Sequence, residues 1–231
     1  MMIEEKTLHF KLITGEQAIR LDFPARRIIC GGYSGRSQDA VQEHVRELQA
    51  LGMPAPESTP IFFQVSNYLA TTGTCVTVQD GFTSGEAEFV LLFHDDQTYV
   101  TCGSDHTHRE LERHSIPGAK QMHPKILARE LWLFSDVETN WDQLMLRFWA
   151  TVGRNRELYQ ESPLAHILEP DRLLQEAERQ FKVRQDGTIF MSGTIPTVGG
   201  RLVYAEEFAF ELHDPVLNRT IGHSYEISLL R

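Results

Sequence analysis

The sequence predicts an α+β protein dominated by strands, a β-roll with a few peripheral helices, and three observations lead to that expectation. Short runs of alternating apolar and polar residues, bounded by turn residues, recur along most of the 231-residue chain. Only two segments, 38–51 and 170–181, place their apolar residues at clear helical spacing. The two kinds of element follow no steady strand-helix-strand rhythm, which favours an α+β or β-dominated roll.

Residues 8–13 and 17–23 alternate around Thr14-Gly15 and read as an N-terminal hairpin. Residues 27–32 read as a buried strand. A Gly/Ser-rich turn then leads into the first helix, where Ala40, Val41, Val45 and Leu48 share one face before Gly52 ends it. Pro54, Pro56 and Pro60 interrupt regular structure, and 61–65 resumes as a strand. The stretch 74–100 reads as strand, turn, strand, with Gly81 and Asp95-Asp96 at turns. Residues 105–114 read as a short helical turn or ordered loop that Pro117-Gly118 ends. For 141–152 the alternation of Leu144, Leu146 and Phe148 with Met145, Arg147 and Trp149 favours a strand. The second helix follows at 170–181, with Asp171 at its start complementing the helix dipole. Strands at 188–191, 208–212 and 222–229, joined by turns at 193–200 and 214–218, complete the chain. The organisation expected is a hairpin extension over 1–26 and one main domain over 27–231.

Composition narrows the function classes. A formal net charge of −10 disfavours a nucleic-acid partner, because such affinity comes largely from Lys and Arg neutralising phosphates. No apolar stretch approaches the ~20 residues that span a bilayer, so neither a membrane nor a signal peptide is expected. Cys30, Cys75 and Cys102 are odd in number and match no zinc or redox spacing. Reduced thiols in a cytoplasmic protein account for them.

Glu86 and Glu88 precede the wholly apolar run 89–93. On a strand their carboxylates project from one face, about 6.5–7 Å apart along the chain. At the rim of a core, unpaired charge is costly and a cation would relieve it. Asp105 adds a third hard oxygen, a set that suits Mg²⁺, Mn²⁺ or Ca²⁺. A solvated strand face is the plain alternative. A zinc site using His106, His108 and His114 is another, although no cysteine joins them and their spacing matches no zinc signature.

Taken in order, Glu86-Ala-Glu88, Asp105-His-Thr-His-Arg109 and Ala119-Lys120 resemble the catalytic domain of the fumarylacetoacetate hydrolase superfamily. Upstream, Ile28-Ile-Cys-Gly-Gly32, His44-Val-Arg-Glu47 and Pro60-Ile-Phe-Phe63 resemble its strand, its His-x-x-Glu helix and its Pro-x-x-Phe strand. Downstream, Leu158-Tyr-Gln160, Ser192-Gly-Thr-Ile-Pro196 and Gly199-Gly200 resemble its glutamine and Gly-Thr-Pro segments. The similarity spans 27–231 and is narrowest to a prokaryotic branch of unknown function. The chain departs from the pattern in a longer insert before His44, in Gln64 where many members carry lysine, and in the stretched turn at Gly193.

The resemblance implies a multi-layer mixed β-sandwich roll, a homodimer, and a divalent cation, Mg²⁺ first, held by Glu86, Glu88 and Asp105. It also implies chemistry on a small 2-oxo acid or 1,3-dicarbonyl through a metal-stabilised enolate, by C–C hydrolysis, decarboxylation or isomerisation. Within it, His44 serves as general base, oriented by Glu47 three residues on, and Lys120 meets a substrate carboxylate or oxyanion. Gln160, Thr194 and Arg109 complete the substrate-binding set, Arg109 also being suited to pair with a carboxylate. A protein of the same fold that binds or senses an oxo acid without turning it over is the alternative.

Overall fold

The computed structural model describes residues 5–50 and 55–230, except the side chains of His44, Glu47, Leu48 and Ala50. The chain opens with the expected hairpin, β1 (Lys6–Thr14) and β2 (Gln17–Ala25), followed by β3 (Arg27–Gly32), helix α1 (Gln38–Ala50) and β4 (Ile61–Val65). Short strands β5 (Ala70–Thr71), β6 (Cys75–Val78) and β7 (Thr83–Ser84) lead to the central pair, β8 (Ala87–His94) and β9 (Gln97–Asp105). After β10 (Thr107–His108) come two short helices, α2 (Arg109–Glu112) and α3 (Ile116–Met122), then β11 (Lys125–Leu127) and β12 (Glu130–Leu133). The long hairpin β13 (Met145–Val152) and β14 (Asn155–Pro163), helix α4 (Pro170–Ala177), and strands β15 (Thr188–Met191), β16 (Glu207–Asp214) and β17 (Arg219–Leu229) complete it.

The strands form two large sheets. Ten belong to one, in the order β2-β1-β12-β9-β8-β15-β3-β4 with β11 also beside β9 and β5 beside β11. Five belong to the other, in the order β14-β13-β16-β17-β6, while β7 and β10 pair separately. The run on β8 explains the architecture. Phe89, Leu91 and Phe93 pack with Phe148, Phe208 and Phe210 of the second sheet. Val90 and Leu92, pointing the other way, pack with Leu8, Phe10, Phe23 and Ile189. A strand covered on both faces has no polar face to show, so its sequence reads as continuously apolar. The β1-β2 hairpin joins the same layer through parallel pairing of β1 with β12.

Three readings are refined. The 105–114 segment is neither one helix nor a loop, because Asp105 ends β9, β10 intervenes and α2 begins at Arg109. Pro117-Gly118 begins a helix instead of ending one: Ser115 caps α3 by accepting the Gly118 N–H at 3.2 Å. Proline fits there because a first-turn N–H has no intrahelical partner to lose. The strand favoured over 141–152 is found from Met145, after a 3₁₀ turn over Glu138–Gln143. All three cysteines are free, two of them buried. Among the described residues no helix is long and apolar enough to cross a membrane.

Candidate metal centre

The centre forms where the ends of β8 and β9 meet. The Asp105 N–H donates to the Glu86 carbonyl at 3.0 Å, and Ala87 lies opposite Ser104 in the ladder. This register sets Glu86 against Asp105 across the strands, with Glu88 two residues along on the same face. Carboxylate oxygens of Glu86, Glu88 and Asp105 lie within 4.8 Å of one another.

Three like charges so close require compensation, and Glu88 and Asp105 are fully buried. Lys120 Nζ sits 2.5 Å from Asp105 Oδ2 and 3.7 Å from Glu86 Oε2. Lys125 Nζ sits 2.6 Å from Asp105 Oδ1. Arg109 Nη1 bridges Glu86, at 3.0 Å, and Glu112, at 2.9 Å, while its Nε donates to Ser84 Oγ at 2.6 Å. Burial alone would push the Asp105 carboxyl up, but the two ammonium groups hold it well below the usual carboxylate range. Burial would likewise depress Lys120, yet Asp105, Glu86 and Glu88 keep it raised and therefore charged.

Glu88 is different. Burial, with Asp105 and Glu86 nearby, pushes its carboxyl well above the ordinary range. One oxygen accepts the Gly193 N–H at 2.8 Å. The other, Oε1, is buried without a hydrogen-bond partner. A buried carboxylate oxygen left unsatisfied beside two more carboxylates is the donor set that a hard divalent cation completes. The residues present therefore fit Mg²⁺, Mn²⁺ or Ca²⁺. Gly193 supplies its N–H at φ +85, a conformation that L side chains rarely adopt, and an added Cβ would run into Ser34 Oγ.

Gln160 and Thr194 hold the peptide between the two glutamates. Strand β15 stops opposite Val90, leaving the N–H and C=O of Ala87 without a ladder partner on that side. Gln160 Oε1 accepts the Ala87 N–H at 2.9 Å, and Thr194 Oγ1 donates to the Ala87 carbonyl at 3.0 Å. Gln160 Nε2 donates to Thr194 Oγ1 at 2.8 Å and to the Ile195 carbonyl at 2.5 Å. Gln160 is 1% exposed, so its amide is committed within the protein. Arg109, also in the substrate-binding set, is similarly committed to Glu86, Glu112 and Ser84.

The structure thus brings together Glu86, Glu88, Asp105, Lys120 and Arg109, with Gln160 and Thr194 directly behind them. The side chains of His44 and Glu47, the expected catalytic pair, lie outside the described residues. The histidines of the zinc alternative have other environments. His106 Nδ1 is 3.0 Å from the Tyr225 hydroxyl, His108 Nε2 is 3.2 Å from Asp80, and His114 is exposed. Among the described residues they form no three-ligand cluster. Sequence reasoning missed Lys125, Ser84 and Glu112. Nothing local in Lys125-Ile-Leu127 placed the ammonium of Lys125 against Asp105. Tyr33 was missed too; burial and the Glu112 carboxylate raise its phenol, and its φ is +52.

The family described as "Protein of unknown function (DUF2848)" matches residues 31–225. No protein with a curated description matches the sequence. Among solved structures, this chain is similar to 5-carboxymethyl-2-hydroxymuconate delta-isomerase from Mycobacterium smegmatis, with 15% identity, 97% of this chain and 95% of that one covered, and a TM-score of 0.62. It is similar to a protein assigned to the fumarylacetoacetate hydrolase family from Yersinia pestis CO92, with 17% identity, coverage of 90% and 95%, and a TM-score of 0.60. It is also similar to 2-keto-3-deoxy-D-arabinonate dehydratase complexed with magnesium and 2,5-dioxopentanoate, with 15% identity, coverage of 89% and 73%, and a TM-score of 0.62. At these identities the shared property is the fold, and it is the fold that the sequence motifs led us to expect.

Proposed function

This chain belongs to the DUF2848 family of proteins of unknown function, and from that premise we propose that it is a divalent-cation-dependent enzyme acting on a small 2-oxo acid or 1,3-dicarbonyl compound. The observation that carries the reading is the carboxylate trio, half-buried at Glu86 and fully buried at Glu88 and Asp105, whose Glu88 Oε1 has no partner, set beside a lysine held in its charged form. Glu86, Glu88 and Asp105 would hold the cation, Mg²⁺ first. Bound there, it supplies Lewis-acid polarisation of a substrate's oxo and carboxylate oxygens.

The chain's own residues do the rest. Lys120, kept protonated by its carboxylate neighbours, cannot accept a proton at neutral pH; it stabilises negative charge developing on a substrate oxygen. Gln160 and Thr194 fix the Glu86-Ala87-Glu88 peptide, so both carboxylates are preorganised. Arg109 holds Glu86 in place from behind and leaves its second oxygen facing Lys120. Proton transfer falls to His44 with Glu47 on α1.

C–C bond hydrolysis is the reaction we favour. Two proteins of the same fold are named as a dehydratase and an isomerase, which supports water elimination or isomerisation as the second reading, since all these reactions begin by polarising the same carbonyl. The test is incubation of the Mg²⁺- and Mn²⁺-supplemented protein with acylpyruvates, oxaloacetate and related diketo acids, with products followed by mass. Conversion that disappears in Glu88→Gln supports the reading. Failure to take up any divalent cation refutes it, and cation uptake without conversion of any oxo acid favours the binding-only alternative.

A further inference from the structure

Lys125 is fully buried, begins β11, and stands directly opposite Asp105 in the antiparallel pairing of β11 with β9. Its ammonium lies 2.6 Å from Asp105 Oδ1 and donates to the His106 carbonyl at 3.1 Å. Both oxygens of Asp105 therefore already meet a lysine, Lys120 on one side and Lys125 on the other. The two lysines are placed differently. Lys120 comes from the short helix α3 and reaches over two carboxylates, whereas Lys125 is fixed by strand pairing on both sides, to β9 and to β5. An aliphatic stem threaded through a core to bring one charge to one carboxylate is costly to desolvate, and a hydrophobic side chain would pack there at less expense.

The charge count gives that cost a use. Four carboxylates, those of Glu86, Glu88, Asp105 and Glu112, face three cationic side chains, those of Arg109, Lys120 and Lys125. Once a divalent cation has displaced any proton from Glu88, four carboxylates, three cationic side chains and the cation leave the loaded centre with a surplus of one positive charge. Without Lys125 the loaded centre would be neutral.

We propose that Lys125 is a built-in counter-ion of the centre, which weakens uptake of the bare divalent cation and leaves the loaded centre with spare positive charge that recruits a carboxylate-bearing ligand. The inference rests on the cation-binding reading above. It assigns to Lys125 an ordered preference: cation and anionic ligand are held best together, and each is held less well alone. Lys125 is a positioning residue in this scheme, since it acts through Asp105.

The experiment uses Lys125→Met, similar in length and uncharged, and Lys125→Gln as a second neutral form. Mn²⁺ binding is read from the loss of the free-ion electron paramagnetic resonance signal, and oxalate binding to the Mn²⁺-loaded proteins by titration calorimetry. Removing one charge from a buried centre should tighten Mn²⁺ binding at least about tenfold and weaken oxalate binding by at least about as much. Should a variant be unfolded on its own, oxalate binding to its Mn²⁺-loaded form decides: weaker binding than in the wild type supports the proposal, and equal or tighter binding overturns it. Unchanged or weaker Mn²⁺ binding, or both affinities moving in the same direction, overturns it. So does a pair of variants that stays unfolded at every Mn²⁺ concentration, which would make Lys125 a structural residue. A wild-type protein that binds no Mn²⁺ refutes the cation-binding reading itself, whereas wild-type binding with no change in the variants refutes only the role of Lys125.

Discussion

Replacing Glu88 with glutamine separates a cation ligand from a structural carboxylate, because the two roles predict opposite signs. Glu88 is buried, one of its oxygens has no partner, and Asp105 and Glu86 repel its charge. Glutamine keeps the shape and can still accept the Gly193 N–H, but it removes the charge. Without cation, Glu88→Gln should therefore stabilise the protein by about 1–3 kcal/mol, the scale of relieving an uncompensated buried polar group. The pH dependence has a definite sign. A carboxyl raised in the folded state lends stability that is complete below its unfolded value near 4.5 and is lost as pH rises through the folded value. The advantage of the variant should thus grow with pH. With cation the order reverses. At one hundred times its Kd a cation stabilises the wild type by about 2.7 kcal/mol. At about 2–4 °C per kcal/mol for a chain of this size, that is a rise in Tm of about 5–11 °C. The variant should show almost none of this rise. Thermal unfolding with and without Mg²⁺, from pH 5 to pH 8, reads both effects. A variant less stable than wild type without cation, or one that keeps the cation-dependent rise, would refute the reasoning.

Other expectations follow from the same geometry. Gln160→Leu leaves the Ala87 N–H buried and unpaired; it should cost about 1–3 kcal/mol in chemical denaturation and weaken cation binding measured by calorimetry, although Gln160 would touch no cation. Arg109→Met strands Glu86 and Glu112 and should cost about 3–5 kcal/mol, partly recovered in the double variant with Glu112→Gln; denaturant midpoints for the three proteins decide it. Acid should destabilise the fold through its histidines. Burial and the nearby Lys125 pull His123 down to about 4, and burial with His123 pulls His106 down. Both stay neutral in the folded state at neutral pH, so the stability they lend is complete above about pH 6.5 and is lost as pH falls below it, for His123 as pH falls toward about 4. Allowing for solvent screening, His123 contributes on the order of 1–2 kcal/mol, and His123→Asn should flatten the acid limb of a stability-pH curve.

The parts of the fold that were legible are those in which a local pattern reflects a local cause. The N-terminal hairpin follows from alternation about Thr14-Gly15, and the doubly covered strand β8 from an apolar run with no polar face. Glu86 and Glu88 were legible as a pair because residues two apart on a strand share a face, whereas Asp105 was added as a third hard oxygen and through the resemblance, and its place at the end of β9 emerges only from the pairing of β8 with β9. What escaped depends on pairing between distant segments. Strand β14 is mostly polar in sequence, and two of its three buried residues are the polar Gln160 and Ser162, while β12 is four residues long. Lys125 looks like any lysine until β11 is laid against β9. Gln160 and Thr194 drew attention as substrate ligands through a resemblance, while their hydrogen bonds to Ala87 follow from where β15 stops, which no local spacing encodes. The proline that looked like a terminator sits in the first turn of α3, where its missing N–H costs nothing.

The central claim is that Glu86, Glu88 and Asp105 hold a hard divalent cation, and diffraction from crystals soaked in Mn²⁺ tests it most directly. An anomalous peak within coordinating distance of all three carboxylates, with Glu88 Oε1 among its ligands, is the predicted result. The surface group of His94, Asp95 and Asp186 serves as an internal control, because His94 and Asp186 already bond each other at 2.7 Å. A peak there with none at the carboxylate trio would contradict the account.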